Sequence, residues 1–266
     1  MGNALQGRIA LVTGGTRGIG RGIAEAFLAE GASVMLSGRS EVKGAQALAE
    51  IAQARISEAG RVDYVACDAR DRVQVNALVE RTIARFGRVD ILVNNAGGSD
   101  GFALVHEMTD EAWDNALALG LNTTFWATRR ALADMVNRRW GRIINITSVE
   151  GKVGNKSAVS HYTSNKAGMH GFTKAVAAEY GTMGITSNAI CPGAIETDMM
   201  KEAGVAAAAT MGISYQQFLD TYAQESLIKR LNRVEEVAAM AVLLASEVGS
   251  GITGGLLNVD GGTSPY

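Results

Sequence analysis

The chain has 266 residues, 47% hydrophobic and 20% charged, with a formal net charge of −2 and no basic block. That length supports a full core in one domain, and the composition excludes a disordered chain and a nucleic-acid binder. Cys67 and Cys191 stand far apart without metal-ligand or redox spacing, which excludes a disulfide framework, and no run reaches transmembrane length. The opening "MGNALQGRIA" lacks the charged-then-apolar order of a signal peptide, so the expected compartment is the cytosol.

Short apolar runs alternate with long amphipathic ones. Strands are expected at 8–13, 32–37, 62–67, 89–94, 141–147, 185–191 and 256–259, and helices near 18–30, 41–58, 71–86, 109–138, 160–182 and 233–246. The strands are apolar on both faces, which predicts an α/β fold: one doubly wound Rossmann-type domain over 1–266, with a parallel seven-stranded sheet covered by helices on each side. Such a sheet binds ligands beyond the carboxyl ends of its strands, so the residues there carry the functional reading.

The first strand runs into "TGGTRGIGRGIAEAF", placing Gly14, Gly18 and Gly20 at a strand-to-helix turn together with Thr16, Arg17 and Ile19. Glycines admit a pyrophosphate close to the backbone, and the following helix offers its free N–H groups. The second strand ends in "SGRS", where Arg39 stands in the neighbourhood that a ribose-binding acid would occupy. A cation there, with Arg17 nearby, suits a 2′-phosphate and predicts NADP rather than NAD, NAD being the alternative. "CDARD" after the third strand supplies Cys67, Asp68 and Ala69, with Asp68 a candidate acceptor for the adenine amino group. "NNAGG" after the fourth supplies Asn94, Asn95, Ala96 and Gly97 along the adenosine and ribose path.

The fifth strand delivers Ser148, and the helix after it carries Tyr162 and Lys166 in "HYTSNK". Positions i and i+4 share a helix face, so the phenol and the ammonium are expected side by side. Ionising a phenol near neutral pH needs roughly 4 kcal/mol. One cation at about 4 Å supplies roughly that much at an effective dielectric of about 20, so Lys166 is expected to acidify Tyr162. "PGAIET" follows the sixth strand. Residues 195–225 then break the rhythm with two short helical patterns around an alanine-rich stretch, expected to form a lid over the ligand site. The histidines His106, His161 and His170 match no metal-ligand pattern, so no metal is expected.

The glycine turn, "NNAG", Ser148, the Tyr162–Lys166 pair and "PG" come in an order that resembles the short-chain dehydrogenase/reductase family over essentially the whole chain. The resemblance implies Tyr162 as general acid/base, Lys166 as holder of the nicotinamide ribose, and Ser148 as hydrogen-bond donor to the substrate oxygen. It also implies Asn122, in "LGLNTTFWATRRAL", as the asparagine that organises a water near the lysine. Pro192, Gly193, Ile195 and Thr197 would meet the nicotinamide carboxamide and pyrophosphate. One departure is visible: the stretch from Ser148 to Tyr162 is a residue longer than the family's usual one.

The activity so implied is that of an oxidoreductase interconverting a ketone and a secondary alcohol, a 3-oxoacyl-type ketoreductase first. An alcohol or 3-hydroxybutyrate-type dehydrogenase using NAD is the alternative. A non-enzymatic regulator that senses a dinucleotide would not need the reactive trio. The expected substrate wall comprises Gly98, Ser99, Glu150, Val153, Met199, Met200 and Tyr215, with Lys201 nearby. Partners are expected to be a small-molecule ketone or alcohol and further copies of the chain: the resemblance implies a homotetramer, and Leu117, Leu119, Leu121, Phe125 and Trp126 exceed what one sheet-facing helix needs.

Overall fold

The computed structural model describes residues 3–54, 60–98 and 101–264. Seven strands, β1 (Ile9–Val12), β2 (Ser33–Gly38), β3 (Val62–Ala66), β4 (Ile91–Asn94), β5 (Gly141–Ile146), β6 (Ile185–Pro192) and β7 (Leu256–Val259), form one sheet in the order β3-β2-β1-β4-β5-β6-β7. Every pairing is parallel. The helices are α1 (Gly18–Ala29), α2 (Glu41–Ala54), α3 (Arg72–Phe86), α4 (Asp110–Leu117), α5 (Thr123–Arg138), α6 (Glu150–Val153), α7 (Ser160–Tyr180), α8 (Asp198–Met211), α9 (Tyr215–Glu225) and α10 (Val234–Ala245).

Strand residues alternate between two cores. Ala10, Val12, Ile91, Val93 and Ile144 face α1, α2 and α10, where Ile23, Ile51 and Val237 close the layer. Leu11, Leu92 and Ile143 face the opposite way, against Val75 of α3, Ala131 of α5 and Val176 of α7. Burial on both sides is what makes these strands continuous apolar runs. The strand order reverses at the β1–β4 junction, where a crevice opens beyond the carboxyl ends.

Two elements depart from the sequence reading. The single helix expected over 109–138 is two, α4 and α5, joined by a π-helical turn at Ala118–Asn122. The segment after Ser148 contains the one-turn α6, too short for a periodic signal, and Ala158 takes a left-handed φ of 62° in the loop that follows. Residues 195–225 resolve into α8 and α9, each started by a side-chain cap: Thr197 Oγ1 accepts from Met200 N at 3.3 Å, and Ser214 forms a capping box with Gln217. The tail of the helix pattern at 41–58, like Ser99, falls outside the described residues.

At the amino ends of the strands sits Asp90, fully buried. Its carboxylate accepts from Ile9 N at 2.9 Å, Arg88 Nε at 2.9 and 3.0 Å and Arg138 Nη1 at 2.8 Å, so it fastens β1 to β4 and to the end of α5. Replacing it leaves the Ile9 N–H without its acceptor and takes one carboxylate from two guanidinium groups. Asp90→Ala is expected to cost at least about 2 kcal/mol, read as a melting-temperature fall of roughly 4 °C or more, without altering the crevice at the opposite end of the sheet.

Candidate active site

β1 is followed by Thr13, which the sequence reading passed over. Its Oγ1 accepts from Asn95 N and Ala96 N, both at 3.0 Å, while the Asn95 side chain donates to Thr13 O at 2.9 Å and Gly14 O at 3.0 Å. The loops after β1 and β4 are thereby laced together. A Cβ on Gly20 would lie 2.4 Å from Asn95 Nδ2, and Gly14 has a φ of 65° with Ala96 at 3.1 Å from its would-be Cβ. Glycine is required at both positions, and the cradle they form fits the close approach of a pyrophosphate. Arg17 is the extended N-cap of α1 and caps it with no side-chain hydrogen bond. Thr16, Gly18 and Ile19 line the cleft beside it.

The distal end of the cleft is lined by Arg39, Cys67, Ala69 and Arg70. Arg39 is exposed there. Arg17 is engaged already, donating from Nη1 to Glu202 Oε1 of α8 at 2.7 Å. Asp68 is held by Arg70, whose N, Nε and Nη2 donate to it at 3.0, 3.2 and 3.1 Å, and this hydrogen bonding, ahead of the opposing effect of burial, lowers its carboxyl below the usual range. Arg70 is a cleft residue that the sequence reading missed. Burial pushes the Cys67 thiol up to about 12, so it lines the wall as an inert group.

At the other end α7 presents Tyr162 and Lys166 to Ser148, which leaves β5 through Thr147. Tyr162 and Lys166 line the cleft with Ile146 and Thr147, and Ser148 Oγ holds the start of α6 by accepting from Glu150 N at 3.1 Å. Lys166 is buried and donates from Nζ to Ile146 O at 3.0 Å, and a Cβ on Gly97 would lie 3.3 Å from that nitrogen. Burial lowers its pKa to about 8. Tyr162 corrects the electrostatic expectation. Its pKa is raised: burial dominates, a hydrogen bond with Ser148 pulls it down and Glu150 pushes it up. Lys166 Nζ lies 5.6 Å from the phenol ring centroid, over the ring, and its proton is itself loosened by burial. The protein alone therefore holds Tyr162 as an acid.

Several expected residues take other places. Asn94 points into the core, donating to Thr128 Oγ1 at 3.1 Å and Asn145 Oδ1 at 2.8 Å. Asn122 is exposed and does not line the cleft, because the π-helical turn changes the phase of the helix before it. Ile195 buries its side chain in the α1/α10 core. Pro192 and Gly193 are tied to neighbours, Val149 N donating to Pro192 O and Gly193 N to Val259 O, both at 3.1 Å, and neither lines the cleft. Thr197 does line it, with Gly98, Asp198 and Met199. Of the substrate candidates Ser148, Glu150, Val153, Met200 and Tyr215 lie outside the lining, and Tyr215 Oη donates instead to Glu196 Oε1 at 3.3 Å. Lys201 is exposed on α8 and also lies outside it. Among the described residues no group of acids, histidines and cysteines is placed to hold a metal, and no helix is long and apolar enough to cross a membrane.

The family model for short chain dehydrogenase matches residues 8–207. D-beta-hydroxybutyrate dehydrogenase of Cupriavidus necator is 38% identical over 259 residues, covering 97% of this chain and 98% of that protein. The 3-oxoacyl-acyl-carrier-protein reductase of Escherichia coli is 38% identical over 257 residues, covering 97% of each. The crystal structure of a single-substitution variant of actinorhodin polyketide ketoreductase with NADPH superposes with a TM-score of 0.90 at 36% identity, covering all of both chains. The chain belongs to the short-chain dehydrogenase/reductase family.

Arg39 is the exposed cation at the distal end, and a charge-assisted bond to a phosphate is worth roughly 1.5–3 kcal/mol. Arg39→Glu is expected to raise the KM for NADPH by roughly 10- to 100-fold while leaving that for NADH within about twofold, measured by initial rates with each cofactor.

Proposed function

We propose that the protein is an NADP-dependent ketoreductase acting between a ketone and a secondary alcohol, with Tyr162, Ser148 and Lys166 as its reacting group. The observation that carries this reading is the meeting of those three side chains at the end of a glycine-cradled cleft whose far end holds Arg39. A bound reduced nicotinamide would supply a hydride to the carbonyl carbon. Tyr162, protonated at neutral pH, gives its proton to the carbonyl oxygen, and Ser148 steadies that oxygen as it gains charge. Lys166 holds the ribose and supplies positive charge below its pKa of about 8. Ketone reduction and alcohol oxidation pass through the same buried phenolate, so the site serves either direction. The intact trio argues against a regulator that only senses the dinucleotide.

Glu150 favours a 3-oxoacyl-type ketone over a 3-hydroxy acid. Burial raises its pKa against the opposing effect of Lys156, its Oε2 is buried without a partner, and its charge is felt at the Tyr162 hydroxyl although it lies outside the cleft lining. A substrate with a free carboxylate next to the reacting carbon brings a second negative charge to that place, whereas a neutral ester or thioester does not. The groove between α5 and α7, lined by Phe125, Leu132 and Phe172, supports pairing of subunits in a homotetramer, which light scattering reads directly, and we place the protein in the cytosol.

Tyr162→Phe keeps the ring and removes the proton. Turnover of a 3-oxoacyl thioester with NADPH is expected to fall by roughly 10²- to 10⁴-fold with NADPH affinity unchanged, and retention of most turnover removes the assignment. Glu150→Gln is expected to raise kcat/KM for acetoacetate by about tenfold relative to the thioester. Equal ratios in the two enzymes would return the 3-hydroxy acid reading to first place.

A further inference from the structure

The π-helical turn Ala118–Asn122 interrupts the run from α4 to α5, and such a turn leaves backbone groups without their ordinary helical partners. Asn165, fully buried on α7, satisfies them. Leu121 N donates to Asn165 Oδ1 at 2.7 Å, and Asn165 Nδ2 donates to Ala116 O at 2.7 Å. The amide occupies the space of a side chain at position 120: a Cβ on Gly120 would lie 2.1 Å from Asn165 Nδ2 and 2.4 Å from Oδ1. Gly120 and Asn165 are therefore one device, a glycine in the turn and an amide supplied from the facing helix.

On the turn side the device reaches the cleft through Leu119, and on the α7 side it shares a helix with Tyr162 and Lys166. Asn165 is the residue before Lys166 and three after Tyr162, on the same helix. On the turn, Leu119 lines the cleft and would meet a Cβ on Gly98 at 3.6 Å, while Leu121 packs on Gly168 of α7. Thr123 Oγ1 donates to Ala118 O at 2.7 Å and also to Ala69 O in the distal wall.

We propose that Asn165 is a positioning residue for the reaction: its amide locks the π-helical turn onto α7, holding Leu119 in the cleft wall and keeping water from the buried flank of Lys166. Removing the amide leaves the Leu121 N–H and the Ala116 carbonyl buried and unpaired, and unpaired groups of this kind recruit water. Water beside Lys166 relieves the burial that holds its pKa near 8, and the ammonium then keeps its proton to higher pH.

The inference rests on the ketoreductase reading, so NADPH-dependent reduction by the wild-type protein is measured first and judges that reading by itself. In the wild type the rate is expected to fall above about pH 8 as Lys166 loses its charge. Asn165→Ala and the gentler Asn165→Ser are expected to lower kcat at least tenfold with far-ultraviolet circular dichroism unchanged, and to move that basic limb upward by about one unit or more. The double variant Gly120→Asn/Asn165→Ala returns the amide from the turn itself and is expected to recover both kcat and the limb. A merely structural role predicts a lower melting temperature with kcat and limb unmoved in the folded variants, and that result overturns the proposal. So does a double variant no better than Asn165→Ala. If Asn165→Ala does not fold, the same two readouts in Asn165→Ser and in the double variant decide the matter.

Discussion

The reacting end is organised around a buried ammonium. Lys166 has one backbone carbonyl, Ile146 O, within 3.0 Å, and it lies against a glycine, Gly97, at the end of the neighbouring strand's loop. Placing a cation there costs solvation, which appears as a pKa lowered to about 8, and the same low dielectric strengthens every charge interaction around it. Three elements must converge to make the place: β5 for the carbonyl, the loop after β4 for the missing side chain, and α7 for the lysine. Thr13 and Asn95 secure the loop after β4 to the loop after β1, so the lysine's surroundings and the glycine cradle form one hydrogen-bonded unit.

This arrangement changes how the tyrosine works. A lysine fully charged and pressed against the hydroxyl would lower the phenol pKa, as simple Coulomb reasoning from the i,i+4 spacing suggests. In the folded protein the lysine lies over the ring at 5.6 Å from its centroid and is itself partly discharged near pH 8, while burial and Glu150 raise the phenol. At neutral pH the group therefore rests protonated. Ser148 opposes this through its hydrogen bond to the phenol, which moderates the acid beside it.

What could be read from the sequence follows from how local each signal is. The seven strands were legible because two-faced burial turns each into an uninterrupted apolar run, and the glycine loop and Tyr162–Lys166 spacing are local patterns. The break in the long helix was not legible, since "ALGLN" contains no proline and keeps the apolar character of its neighbours. That hidden turn shifts the phase, which is why Asn122 faces solvent while Asn165, on α7 within "HYTSNK", does the inward work. Arg17 with Glu202, and Asp68 with Arg70 turned into the cleft, depend on rotamers and on contacts across the fold. Thr13 did leave a trace, a polar residue just after a buried strand, but only the partner loop explains it.

Rigidity is distributed unevenly along the strands, and the distribution suits a ligand site. At the amino ends a fully buried carboxylate gathers two arginines and a backbone N–H, a contact costly to break. At the carboxyl ends α8 and α9 are tethered by surface pairs, Arg17 with Glu202 near the phosphate cradle and Lys156 with Glu225 near the loop after Ser148. Exposed pairs of this kind contribute little to stability, because water screens them and two long side chains must be held still. Exchanging such a partner for another therefore costs little. The same sheet thus holds its fold at one end with a buried charge, while at the other α8 and α9 are fastened by weak surface contacts.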